Sequence, residues 1–249
     1  MRIEVENLAC RRSGRLVFEG VSFALGSGEA LAVTGRNGAG KSSLLAILSG
    51  EIRPEAGTVR TDGLGERTLP EALHLVGHRD ALKGALTAAE NLAFARDLLG
   101  DPALPPREAL AAVGLAQAAA LPVAYLSAGQ RRRVALARLL VARRPLWLLD
   151  EPAAALDAGA QETLVGLMRA HLADGGLLVA ATHQPLGIDG ARELRLGRLT
   201  SPLAGEVERA EGAPGEGGAA TSPERSAPPP SPGRRCRGDS AFPITGEGT

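Results

Sequence analysis

Leu31-Ala32-Val33-Thr34-Gly35-Arg36-Asn37-Gly38-Ala39-Gly40-Lys41-Ser42 is followed by the apolar run Leu44-Leu45-Ala46-Ile47-Leu48. Gly35 to Ser42 fits G-x-x-x-x-G-K-[ST] without departure, with a short apolar strand before it and helical spacing after. The glycines let backbone N–H groups close around phosphate oxygens, and the helix predicted over Ser42–Ser49 turns its positive end toward them. Lys41 would reach the β- and γ-phosphates, and the Ser42 hydroxyl would offer a ligand to Mg²⁺. The expected nucleotide-binding set is Gly35, Arg36, Asn37, Gly38, Ala39, Gly40, Lys41, Ser42 and Ser43. Binding of a nucleoside triphosphate follows from this stretch alone.

Outward from the loop, apolar runs alternate with helical patterns. Arg2–Glu6 and Gly20–Leu25 read as half-buried strands, Thr58–Thr61 as an edge strand, and Leu73–Val76, Leu146–Leu149 and Leu177–Ala181 as buried ones. Helices are expected over Ala128–Arg143 and Ala158–Leu172. The Ala/Leu-rich stretch Thr87–Leu121, broken at Asp101–Pro106, predicts a helical subdomain over about 87–143. Such alternation predicts an α/β fold, a mostly parallel sheet covered on both faces. Residues 1–200 should form this domain. The Gly/Pro-rich segment 201–249 holds too little apolar surface to offset its ordering entropy and is expected to be a disordered tail.

Composition narrows the function classes. The 249 residues carry 28 basic and 28 acidic side chains, so a nucleic acid partner, which favours a basic surface, is not expected. Hydrophobic residues make up 44% while aromatics are only 2%, so Ala, Leu and Val must fill the core. Cys10 and Cys236 are too few for a disulfide framework or a zinc site, which suits a reducing compartment. No apolar stretch reaches the length of a membrane span, and the N-terminus lacks the apolar run of a signal peptide. Any membrane role would come through a partner.

Further candidates sit where strands should end. Asp150, at the tip of Leu146-Trp147-Leu148-Leu149, can join the Mg²⁺ shell, and Glu151 can orient an attacking water. Without the phosphate loop the pair would read equally well as a polar turn. His183 closes a second apolar strand, at the edge where open α/β sheets place ligands, and suits a γ-phosphate sensor. Leu126-Ser127-Ala128-Gly129-Gln130 opens a helix whose free N–H groups attract anions. Arg131–Arg133 read as a solvated or ion-paired helix face, with a phosphate or interface role as the alternative.

Phosphate loop, LSAGQ, Asp150-Glu151-Pro152, Ala155-Leu156-Asp157 and His183, in that order, resemble the ATP-binding cassette (ABC) ATPase family over roughly residues 1–200. The resemblance implies a P-loop NTPase cassette with an antiparallel β edge, ATP and Mg²⁺ as ligands, and Lys41, Glu151 and His183 as the catalytic set. It also implies head-to-tail pairing with a second copy, so that Ser127, Gly129 and Gln130 meet ATP held by the other subunit. Where the family carries a Mg²⁺-contacting glutamine, His78 stands here, and no aromatic lies near Arg12–Gly14 to stack on adenine, so either the Arg12 guanidinium stacks there or adenine packing is weak.

Gly77-His78, Leu86–Leu92, the LSAGQRRRVALARLL run and Ala181–Leu186 look like the CcmA family, the ATP-binding subunits of c-type cytochrome biogenesis. That resemblance implies a peripheral protein on the cytoplasmic face of the bacterial inner membrane. Its partners would be the membrane subunit CcmB, with CcmC and CcmD. The work done would be haem export or release of a haem-loaded chaperone. An ABC subunit for a lipid, amino acid or metal remains the alternative. A soluble ABC protein would usually carry two cassettes or long coiled-coil inserts, where one cassette and neither insert is read here, and a phosphate-loop kinase would not need LSAGQ or the Asp-Glu-Pro strand end.

Overall fold

The computed structural model describes residues 1–197 together with Glu208 and Arg209. Its strands are β1 (Arg2–Arg12), β2 (Arg15–Leu25), β3 (Ala30–Thr34), β4 (Ala56–Asp62), β5 (Leu73–Val76), β6 (Leu146–Asp150), β7 (Leu177–Ala181), β8 (Arg192–Arg195) and β9 (Glu208–Arg209). Its α-helices are α1 (Lys41–Leu48), α2 (Ala88–Leu99), α3 (Pro106–Ala112), α4 (Ala128–Val141) and α5 (Ala158–Ala173).

The central sheet runs β5-β6-β7-β3-β8, every neighbouring pair parallel, and β9 adds antiparallel to β8. Its strands alternate between two apolar layers, as the two-residue repeat of a strand requires. Leu146, Leu148, Leu177, Val179, Leu31 and Val33 face the cluster that includes Leu44, Leu45 and Leu48 of α1. Trp147, Leu149, Leu178, Ala180 and Ala30 face the one built from α4 and α5, with Leu136, Leu139, Leu164 and Met168. Burial on both faces explains why these strands read as continuous apolar runs. On the second face Trp147 stacks on His171 of α5, ring centroids 3.9 Å apart and 7° from coplanar. His74 is buried and bonds Ala142 O at 2.9 Å.

A second sheet, β2-β1-β4, is antiparallel. The β1–β2 hairpin turns at Ser13-Gly14, both at positive φ, the backbone that two-residue hairpin loops need. β1 runs past the expected Glu6 because register shifts between Val5 and Arg11 break its alternation. A third cluster joins α2, α3 and one face of α4, using small residues such as Ala88, Ala109, Ala118 and Ala137 around Leu92, Leu110 and Val134. Thr87 caps α2 in a reciprocal box with Glu90. Of the segment expected to form a tail, Glu208 and Arg209 are in β9, and its other residues lie outside those described.

Candidate active site

The phosphate loop joins β3 to α1 and is wedged against β2. Gly40, at φ 102°, caps α1, and a β-carbon there would sit 2.6 Å from Val17 Cγ1 and 2.8 Å from Phe18 Cδ1. Only glycine accommodates both that backbone and that approach. Lys41 follows, 7% exposed, its Nζ donating to Gly35 O at 2.9 Å so that the lysine spans its own loop.

Three catalytic candidates, Lys41 at the start of α1 and Glu151 and His183 just beyond β6 and β7, meet at one ring nitrogen. Lys41 Nζ lies 3.2 Å from His183 Nε2, and the same nitrogen lies 3.1 Å from Glu151 Oε1. An ammonium can only donate and a carboxylate can only accept, so Nε2 can accept from Lys41 or donate to Glu151 but cannot serve both at once. Glu151 Oε1 is buried and makes no hydrogen bond among the described residues. Glu151 is held at φ +46°, in the left-handed region that non-glycine residues avoid. Its N–H donates to Ala181 O at 2.8 Å and its carbonyl accepts from Arg132 Nη2 at 2.8 Å.

Beside this cluster lies a cavity of about 570 Å³ whose wall includes Arg12, Ser42, Ser43, Glu51, Gly77 and Asp150. Arg12 thus lines the same cavity as Ser42 and Asp150. The Asp150 carboxylate is 8% exposed and makes no hydrogen bond or ion pair with any described residue. Gly77, not His78, shares the wall, and His78 is exposed with no side-chain hydrogen bond among the described residues. The structure therefore brings Ser42 and Asp150 together and leaves His78 outside their group.

The LSAGQ element forms the start of α4. Ser127 Oγ accepts from Gln130 N at 3.2 Å and Gln130 Oε1 accepts from Ser127 N at 2.9 Å, a closed capping box. The serine hydroxyl proton and the Gln130 amide hydrogens stay available as donors. Ala128 is exposed, and Gly129 packs against the loop at Ala155, itself at φ +62°.

One arginine lies deeper than expected. Of the three read from sequence as a solvated or ion-paired face, Arg132 is ion-paired with Asp80 at 3.3 Å, yet it is only 4% exposed and also bonds Gly77, Asp150, Glu151 and Pro152. The signal was present: Arg132, Leu136 and Leu139 recur at helical spacing along the apolar stripe of α4.

Comparisons with known proteins bear on the family and the fold. The ABC transporter family profile matches residues 18–154. A protein of Bradyrhizobium diazoefficiens, named cytochrome c biogenesis ATP-binding export protein CcmA, is 57% identical over 198 residues, covering 79% of this chain and 98% of that one. The protein of the same name from Agrobacterium fabrum is 51% identical, over 79% of this chain and 95% of its own. Among solved structures, a dimeric ATP-binding cassette in a post-hydrolysis state with ADP and Pi is similar at TM-score 0.69 and 26% identity, over 83% of this chain and 97% of that one. An ATP-binding subunit of an ABC transporter also has TM-score 0.69 and 26% identity, over 79% and 86%. The chain belongs to the ATP-binding subunits of ABC transporters and, within them, to the CcmA family of cytochrome c biogenesis proteins.

Proposed function

We propose that this chain is the ATP-hydrolysing subunit of a membrane complex for c-type cytochrome biogenesis, driving haem export or release of a haem-loaded chaperone. The observation that carries the ATPase reading is the meeting of Lys41, His183 and Glu151 within 3.2 Å beside the phosphate loop. The names of the relatives favour cytochrome biogenesis over transport of a lipid, amino acid or metal.

Each residue has a task that its placement supports. Lys41 and the loop N–H groups neutralise phosphate charge as it shifts during transfer, acting mainly by position. Nucleotide binding would draw Lys41 from His183 toward phosphate. The freed ring nitrogen could then sense the γ-phosphate, while Glu151 Oε1 would accept from the attacking water. The donor set fits Mg²⁺, because an almost buried, unneutralised Asp150 shares the cavity with Ser42, and this ion needs only one or two protein oxygens besides phosphate. Mg²⁺ held by Ser42 and Asp150 would supply charge neutralisation across the β- and γ-phosphates. Ser127, Gly129 and Gln130 would serve ATP on a second copy in a head-to-tail dimer.

The resemblance to the CcmA family supports the accompanying reading of a peripheral position at the cytoplasmic face, held by CcmB with CcmC and CcmD; no described helix is long and apolar enough to cross a membrane. Purification of the full chain from detergent-solubilised membranes tests both parts. Cytochrome-maturation membrane subunits should accompany it, and the complex should release phosphate from ATP to water. Recovery with membrane subunits of another transporter would replace the branch. Phosphorylation of an acceptor in place of water would replace the reaction.

A further inference from the structure

Arg132 uses a chemistry that the nucleotide contacts do not. Its five N–H donors reach five acceptors: Asp150 O at 2.7 Å, Glu151 O at 2.8 Å, Pro152 O at 3.4 Å, Gly77 O at 2.8 Å and Asp80 Oδ1 at 3.3 Å. Three are successive carbonyls of the turn that carries the candidate base. The other two belong to the segment after β5, where Gly77 lines the same cavity as Asp150, at the end of the neighbouring strand. A planar fork of fixed donors can clamp two loops at once, whereas a lysine ammonium with three donors cannot match this pattern.

Glu151 needs such a clamp. Its positive φ is unfavourable for a side chain with a β-carbon and persists only when neighbours over-determine it. Ala181 O takes its N–H from one side and Arg132 takes its carbonyl on the other. Small displacements of a carboxylate that must align a water are costly in rate.

We propose that Arg132 is a positioning residue for hydrolysis, fixing the backbone that carries Glu151 and tying it to the neighbouring strand end at Gly77. The proposal rests on the reading of Glu151 as the carboxylate that orients water. A buried arginine that merely completes the core makes a different prediction, since its loss would lower the folded fraction without a selective effect on turnover.

The test compares the wild type with Arg132→Gln, Arg132→Lys, Glu151→Gln and the Arg132→Gln/Glu151→Gln double variant, all as full chain in the assembled complex. ATP turnover, affinity for a non-hydrolysable ATP analogue and melting temperature are measured for each. Expected are a fall in kcat of about tenfold or more for Arg132→Gln and a smaller fall for Arg132→Lys, with analogue affinity within about threefold. In the Glu151→Gln background, Arg132→Gln should remove less than about twofold more, because both changes act through one carboxylate. Wild-type kcat in the arginine variants, while Glu151→Gln is inactive, overturns the role of Arg132 alone. Losses that multiply in the double variant, or that match a fall in analogue affinity, overturn it too. Should Arg132→Gln fail to fold, Arg132→Lys is judged by the same kcat and affinity criteria. Full turnover in Glu151→Gln removes the reading of Glu151 and the proposal with it.

Discussion

A β-carbon at Gly129 would lie 2.8 Å from the carbonyl oxygen of Ala155, closer than real β-carbons approach an oxygen. The start of α4 and the loop after the acidic strand are therefore fitted to each other at one atom. Gly129→Ala has two opposing effects. Alanine gains roughly 1 kcal/mol in helix propensity over glycine, while the overpacking costs about 1–3 kcal/mol. Net stability should fall by up to about 2 kcal/mol, the loop must shift, and ATP turnover of the complex should fall roughly tenfold. Chemical denaturation and steady-state ATPase together check this, and unchanged turnover would show that the fit has no bearing on catalysis.

Lys41 and His183 share one contact but should separate in function. Lys41→Ala removes the loop's cation and should weaken ATP binding by about tenfold or more. His183→Ala leaves the loop intact, so analogue affinity should persist while turnover drops by about 10²-fold. Calorimetric titration beside turnover distinguishes the two. Equal affinity losses in both variants would mean that His183 supports the loop and does not sense phosphate.

Ser127 acts as a helix cap within its own chain and as a proposed phosphate donor to another. Ser127→Ala should cost about 1 kcal/mol of stability from the lost cap. ATP affinity of the isolated chain should stay unchanged, while turnover of the assembled complex falls. A drop in the isolated chain's affinity would place this serine on its own nucleotide and contradict head-to-tail pairing.

Acid sensitivity should come from the buried imidazoles. Desolvation pushes His74 down to about 4 from its ordinary 6.5, the bond to Ala142 O only partly opposing it, and burial lowers His171 as well. A folded-state value below the unfolded one means that protonation favours unfolding. The contribution of His74 is thus complete above pH 6.5 and lost as pH falls toward 4, by about 3 kcal/mol in all. Denaturant midpoints taken from pH 7 to 4 should show this slope, and His74→Gln should flatten it.

The sequence made the phosphate-binding edge of the sheet legible because that edge is built from short apolar strands ending in polar residues. β7 coincides with the expected Leu177–Ala181, and β6 gains only Asp150. β8 was not foreseen, since Arg-Glu-Leu-Arg offers one buried apolar residue and gains its strand character from pairing with β3. The short 3₁₀ turn at 116–118 falls inside the stretch Thr87–Leu121, whose Ala/Leu content reads as helix, and a second at 123–125 follows it. At the site, Lys41, Glu151 and His183 were legible from motif order, but their shared nitrogen was not. Arg132 was hidden by its neighbours, because a run of three arginines masks the one facing inward.

Trp147 is the chain's one tryptophan, stacked in the core on His171 and set at the amino end of β6. Protein fluorescence excited at the red edge of its absorption therefore comes from a single site. Emission should be blue-shifted while the α5–sheet contact holds and dim when His171 gains a proton, since an imidazolium quenches indole. Such a signal follows the integrity and acidity of the interior, and a separate label at the phosphate loop is needed to watch nucleotide arrive.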